Sequence, residues 1–279
     1  MKQEIKRLAE IQKISRIGFC RMADYYENAK DFENDRSFSR KKENGDALKN
    51  ARTAIVCAFS YYCGDEKGNL SRYARGEDYH KTVMRKMAPI TELLRENGYF
   101  AEAFADIGIM NERLLAVLSG IAFIGRNRMA INEKIGSYFF IGYILTDCEL
   151  EPDRKNCGKC ADCGRCREAC PLGALDRGFD ESRCVSYITQ KKGDLSEEEQ
   201  NALKKAGTIW GCDICQEVCP HNVAIPETEI DEFKENLIVD LEIDEDISDR
   251  KFREMYKNRA FSWRGKGVIA RNLKILKKK

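Results

Sequence analysis

The stretch "CGKCADCGRCREACP" (157–171) packs five cysteines into fifteen residues and closes on a proline, and "WGCDICQEVCPHN" (210–222) repeats the theme more sparsely. Within the first, Cys160, Cys163, Cys166 and Cys170-Pro171 fit C-x2-C-x2-C-x3-C-P. In this ferredoxin pattern three thiolates wrap one corner of an iron–sulfur cubane, and the fourth is aimed at a different cluster. The second stretch, Cys212, Cys215 and Cys219-Pro220, is one cysteine short of a full motif, and Cys184 in "SRCVSYITQ" completes it. The spacing therefore predicts two [4Fe-4S] clusters, one on Cys160, Cys163, Cys166 and Cys219, the other on Cys170, Cys184, Cys212 and Cys215. Structural zinc is the rival reading, but zinc sites use pairs separated by a spacer, without a duplicated cysteine-proline ending. Cys157 precedes the run at the same spacing and reads as a surplus thiol. Cys20, Cys57, Cys63 and Cys148 read as small apolar core residues.

The rest of the composition narrows the class. Forty-eight Lys plus Arg against 46 Asp plus Glu leave a net charge of +2, too little for a global pull toward nucleic acid. No apolar run approaches the roughly 20 residues of a membrane helix, so no membrane partner is expected. The opening "MKQEIKRLAEIQKISRIGF" reads as an amphipathic helix without a signal-peptide apolar core. Thirteen cysteines, an odd number clustered as C-x-x-C, point to metal in a reducing cytoplasm rather than to extracellular disulfides.

Three layers are expected. Residues 1–150 alternate strand and helix patterns: "TAIVCAFSYY" (53–62), "YFAEAFAD" (99–106) and "GSYFFIGYILTD" (136–147) as strands, "DYHKTVMRKMAPITELLRENG" (78–98) and "NERLLAVLSGIAFIG" as helices. This predicts an α/β (α+β) cofactor domain. Residues 151–223 form a ferredoxin-like domain, with a polar helix at "GDLSEEEQNALKKAG". Residues 224–279 form a helical segment that ends basic, with eleven Lys or Arg and the single acid Glu254 from Lys251 onward.

Three segments, "LSRYARGEDYH" (70–80), "ADIGIMNERLLAVLSGIAFIGRNRMAI" (105–131) and "GSYFFIGYILTD", are dense in polar residues where a core would want apolar ones. With the doubled cysteine motif and "CVSY" between its halves, they closely resemble the epoxyqueuosine reductase family, whose RYA-x-G-x-DYH, DTGP…ER…G-x-x-GKN and GS-x-x-x-G-x-I-x-TD segments appear here in order. The resemblance covers residues 1 to 223 and continues to the closing "WRGKGVIARNLKIL". Two details depart from the family pattern: GKN is GRN here, with Arg126, and DTGP is Asp106-Ile107-Gly108-Ile109. The longer members' tRNA-holding helical-repeat domain would begin where this chain stops, leaving the basic end either to grip phosphates or to be a solvated helix.

The resemblance implies an enzyme that binds cobalamin and two [4Fe-4S] clusters and reduces the epoxide of epoxyqueuosine in tRNA, fed by an external low-potential electron donor. Opening the ring leaves an alkoxide, and the resemblance makes Asp106 its proton donor. By the residues alone Asp106 reads as an N-cap for "NERLLAV". The resemblance also implies a cobalamin pocket that includes Asp106 itself and draws on Arg72, Tyr73, His80, Gly125, Asn127, Gly136, Ser137 and Ser186. His80 opens the D-x-H-x-x-G cobalt-ligating signature, but Val83 stands where its glycine should be. It is then a pocket residue or an ordinary hydrogen-bonded histidine at a helix start. A related cobalamin reductase, such as a reductive dehalogenase, and an electron carrier without catalytic cobalt are the alternatives.

Overall fold

The computed structural model describes residues 1–32, 50–106, 108–153, 158–244 and 246–278. Cys157 lies outside the described residues. The fold is built on the apolar run at 53–62. Strand β2 (Thr53–Ser60) is buried along its whole length. Ile55, Cys57 and Phe59 enter one core, while Ala54, Val56 and Ala58 enter another. A strand covered on both faces has no polar alternation, which is why its sequence reads as unbroken apolar residues.

Helix α1 (Lys2–Ile11) precedes β1 (Arg16–Arg21), and α2 (Met22–Phe32) follows it. Past β2 come α3 (Tyr79–Glu96), β3 (Ala101–Ala105) and α4 (Glu112–Leu118). A small hairpin, β4 (Phe123–Ile124) with β5 (Ala130–Ile131), leads into β6 (Phe139–Thr146). The main sheet runs β1-β2-β6-β3, every neighbouring pair antiparallel. Helices α1 and α3 cover one face through Ile5, Val83, Met87 and Ile90, and α2 and α4 cover the other through Met22, Leu114 and Leu115. Cys20, Cys57 and Cys148 are buried core residues, as expected, and Cys63 is partly buried.

The N-terminus corrects the single-helix reading. Lys13 takes a φ of 57°, and the Ile14 N–H bonds back to the Ala9 carbonyl, so the helix ends and an edge strand begins. Over so short a run, helical and strand periodicities select the same apolar positions. The N-cap reading of Asp106 is corrected too: α4 is capped by Asn111, whose side chain accepts from Leu114 N.

The cysteine segment carries the short helices α5 (Arg165–Ala169) and α6 (Val185–Ile188), then α7 (Glu197–Ala206), then α8 (Ile214–Glu217). The polar helix α7 has a reciprocal capping box between Ser196 and Glu199 and ends at left-handed Gly207. Helices α5 and α8, one from each cysteine half, pack against each other.

Residues 224–278 weave through both preceding layers. Thr228 bonds to the carbonyls of Ser60 and Tyr62, and Ile230 and Phe233 of α9 (Asp231–Lys234) and its approach join the first core. Helices α10 (Asp249–Tyr256) and α11 (Lys266–Lys277) bury Phe252, Ile269 and Leu273 against Leu70, Ala74, Ile209 and Trp210. Asn272, fully buried, donates to the carbonyls of Thr189 and Ile209 and so pins α11 to the cysteine segment.

Candidate active site

The eight motif cysteines fall into two groups around two separate voids. Cys160, Cys163, Cys166 and Cys219 line a small cavity together with Gly125, Asn127 and His221. Cys170, Cys184, Cys212 and Cys215 line a large one, about 1060 Å³, between the sheet domain and the cysteine segment. The grouping crosses the sequence halves: Cys170 sits with the second set and Cys219 with the first. The packing of α5 on α8 brings this about: Cys166 in α5 and Cys215 in α8 belong to different groups, and the chain leaving each helix, through Cys170 and Cys219, supplies the other group. Among the described residues no three such side chains close on a point as the ligands of one metal ion would; each foursome rings a void.

The donor chemistry suits iron–sulfur clusters. Burial pushes the Cys212 thiol up to about 12, with Asp213, Cys184 and Cys170 adding to it, and raises Cys166, Cys184 and Cys219 as well. Thiols crowded in a dry site ionise only when a cation compensates them, which cluster iron does. Nε2 of His221 is buried without a hydrogen-bond partner among the described residues and belongs to the wall of the smaller cavity, where a cluster sulfur would accept from it.

Several residues expected at a cofactor instead lock the two layers together. Arg72 is buried. Its Nη1 donates to Glu217 Oε1 at 2.7 Å, its backbone N–H donates to Asp213 Oδ2 at 2.7 Å, and its guanidinium lies 5.2 Å from the Tyr138 ring. Asp213, between Cys212 and Cys215, also accepts from Ser71 Oγ at 2.6 Å. Burial pushes the Asp213 carboxyl above its usual range, opposed by those two hydrogen bonds. Ser137 Oγ donates to Gln216 Oε1, and Asn222 Oδ1 accepts from Ser137 N. Gly136 stands at φ +65°, and a Cβ there would strike the Asn222 side chain. Arg126 pairs with Asp162. Of the expected contacts, Tyr73, Asn127 and Ser186 line the large cavity, and Asn127 borders both voids while donating to the Cys215 carbonyl.

The third piece is an acid–base cluster at the sheet end. Asp78 caps α3 by accepting from His80 N, and its Oδ1 lies 2.7 Å from His80 Nδ1. His80 Nε2 lies 3.0 Å from Asp106 Oδ2. The Asp106 hydrogen bond, joined by that of Asp78, raises the imidazole to about 9 against the opposing effect of burial. Tyr79, whose hydroxyl also reaches Asp106, stacks on His80 and on Phe140, each with ring centres 4.1 Å apart. Phe140 in turn walls the large cavity. Asp106 itself has a φ of 57°, unusual for a residue with a side chain. His80 and Asp106 are thus brought together, and the Tyr79 ring, stacked on both His80 and Phe140, links the pair to a residue of the cavity lining. Phe140, Tyr187, Gln216 and Arg264 at this site carry no sequence signal of their own and are placed only by the fold.

Thiols in two foursomes, a roomy cavity beside one of them and a proton-bearing pair next to its lining define an iron–sulfur oxidoreductase. Comparison agrees at the level of family. A 4Fe-4S double cluster binding domain matches residues 159–222, and the family described as "Epoxyqueuosine reductase QueG, DUF1730" matches residues 43–106. The epoxyqueuosine reductase of Lactococcus garvieae is 32% identical over 98% of this chain and 85% of its own length. The chain spans 63% of the length of three further bacterial relatives. A Bacillus subtilis epoxyqueuosine reductase, seen with its catalytic aspartate loop swung out of the active site, superposes with a TM-score of 0.81 at 26% identity, covering 99% of this chain and 80% of that one. An epoxyqueuosine reductase crystallised with an epoxyqueuosine-modified tRNA-Tyr stem loop superposes with a TM-score of 0.79, again at 26% identity and with the same coverage. The chain belongs to the epoxyqueuosine reductase family and is a reductase. Among the described residues no helix is long and apolar enough to cross a membrane.

Proposed function

We propose that this protein reduces epoxyqueuosine in tRNA to queuosine in the cytoplasm, with two [4Fe-4S] clusters and a cobalamin. The observation that carries this reading is the shared wall of the large cavity: Cys170, Cys184, Cys212 and Cys215 border the same space as Tyr61, Tyr73 and Phe140. A cluster on those thiols would stand at the edge of whatever occupies that space. Its volume lies at the upper end of small-molecule pockets, room for a macrocycle rather than for a nucleoside alone. Cobalamin bound there supplies a strongly reducing metal centre for opening the epoxide.

The net change is one epoxide, two electrons and two protons to one alkene and one water. The electrons come from an external low-potential donor; Cys160, Cys163, Cys166 and Cys219, which do not line the large cavity, would hold the cluster more remote from it and pass electrons inward. This chain's residues handle the protons. His80, protonated at neutrality, passes its proton to the Asp106 carboxylate across their 3.0 Å contact, and Asp106 delivers it to the oxygen that leaves. Asp78 holds the imidazole by its other nitrogen. Tyr73, Asn127 and Ser186 orient the occupant of the cavity.

The test is anaerobic turnover of epoxyqueuosine-containing tRNA by protein reconstituted with iron, sulfide and cobalamin, beside Asp106→Asn. Queuosine from the wild type, with a rate loss of about 10²–10⁴ in the variant, is the expected result. Full activity in Asp106→Asn removes Asp106 from the role. No product from a fully loaded wild type would mean a different substrate.

A further inference from the structure

The large cavity has a chemistry that neither cluster nor proton pair uses. Its lining includes Arg113, Arg128, Lys191, Lys192 and Arg264 against a single acid, Glu181. Lys192 is exposed and has no ion-pair partner among the described residues. Tyr187, also in the lining, keeps 44% of its surface exposed. Next to Arg264 stands Trp263, 62% exposed although its neighbour Phe261 is fully buried. The Arg264 guanidinium lies 3.9 Å from the centre of the Trp263 ring.

This arrangement is held in place beforehand. Trp263 meets the buried Trp210 edge-on, with ring centres 6.5 Å apart at 88°. Upstream, Arg259 clamps the turn by donating to the carbonyls of Arg75 and Asn236. Downstream, Gly265 takes a φ of +82°, which starts α11 directly after the turn. A large aromatic surface is thus kept in water by rigid neighbours, beside a cation-rich rim. Left to itself such a ring would be buried, since its apolar area favours removal from water.

We propose that Tyr187 and Trp263, with Arg264 and Lys192, form a stacking rim for the unpaired bases that flank the nucleotide entering the cavity. The inference rests on the tRNA reading above. Planar rings and a guanidinium plane accept any base face, and Lys192 meets a backbone phosphate, while Lys191 is already paired with Glu199; this is the combination by which single-stranded RNA is held. The rim binds single-stranded loop nucleotides and discriminates against duplex, whose bases are already stacked.

The experiment uses the reconstituted holoenzyme and a dye-labelled anticodon stem–loop carrying epoxyqueuosine, with an RNA duplex of equal length as the control. Fluorescence anisotropy gives affinity, and turnover gives KM and kcat separately. Trp263→Leu and Tyr187→Leu are each expected to weaken stem–loop binding and raise KM about tenfold, with the loss falling on KM, and to leave duplex binding unaltered. Trp263→Phe, which keeps a stacking ring, recovers most of the loss. Unchanged stem–loop affinity in both leucine variants overturns the rim, as does equal weakening toward duplex. If wild-type enzyme does not turn over the stem–loop, the substrate reading fails instead, and the anisotropy comparison still decides the rim.

Discussion

His80 Nε2 stands 3.0 Å from Asp106 Oδ2, while His80 Nδ1 stands 2.7 Å from Asp78 Oδ1. One imidazole therefore joins the cap of α3 to the end of β3. With a carboxylate at each nitrogen the ring is stabilised as the imidazolium, which donates at both ends.

That geometry makes a pH prediction. The folded-state value of His80, about 9, is raised above the ordinary 6.5. The stabilisation it contributes is then fully present below pH 6.5 and lost as pH rises through about 9. Thermal melts should show Tm declining over that window, and His80→Gln should flatten the decline. The same variant should remove the alkaline limb near pH 9 from the kcat profile and lower kcat at neutrality. A limb that persists in His80→Gln assigns it to another group.

The crossing of the cysteine foursomes can be read by spectroscopy. Cys170→Ala and Cys212→Ala, from different halves of the sequence, should erase the same EPR signal of the reduced protein. Cys160→Ala and Cys219→Ala should erase the other. Iron content should fall by about half in each case. Loss of one signal by Cys160→Ala and Cys170→Ala together would mean the clusters follow the sequence halves.

Arg72 and Asp213 predict a large stability cost. Their side chains are 5% and 7% exposed and 3.5 Å apart. Removing the guanidinium leaves the buried Asp213 without its adjacent counter-charge, held by hydrogen bonds from Ser71 Oγ and the Arg72 N–H, and takes from Glu217 its 2.7 Å ion pair. Arg72→Met should cost about 3–5 kcal/mol, and adding Asp213→Asn should return part of it. Urea unfolding of the cluster-loaded protein measures both. Additive losses in the double variant would show that the two do not interact.

Gly136 gives the steric counterpart. Its φ of +65° disfavours any side chain, and an added Cβ meets the Asn222 amide that accepts from Ser137 N. Gly136→Ala should lower stability by about 1–3 kcal/mol and slow cluster assembly, because Asn222 also ties down the turn after Cys219. An unchanged Tm and normal iron incorporation would show that the junction tolerates displacement.

What was legible in the sequence was whatever depends on local spacing. The cysteine motif places thiolates at the set intervals that wrap a cubane corner, so both foursomes could be written down before any fold was known. The buried strand within 53–62 and the helix within 78–98 were equally local, one an apolar run and the other a 3.6-residue periodicity stopped at Gly98. The edge strand at 16–21 was lost because its six residues fit two periods at once. Tertiary structure alone decided the rest. That Arg72 and Ser137 join two layers, that His80 meets Asp106 across 26 positions, and that Arg264 reaches the large cavity are contacts between distant segments. Such contacts are selected by packing of the whole chain, and no interval along the sequence encodes them.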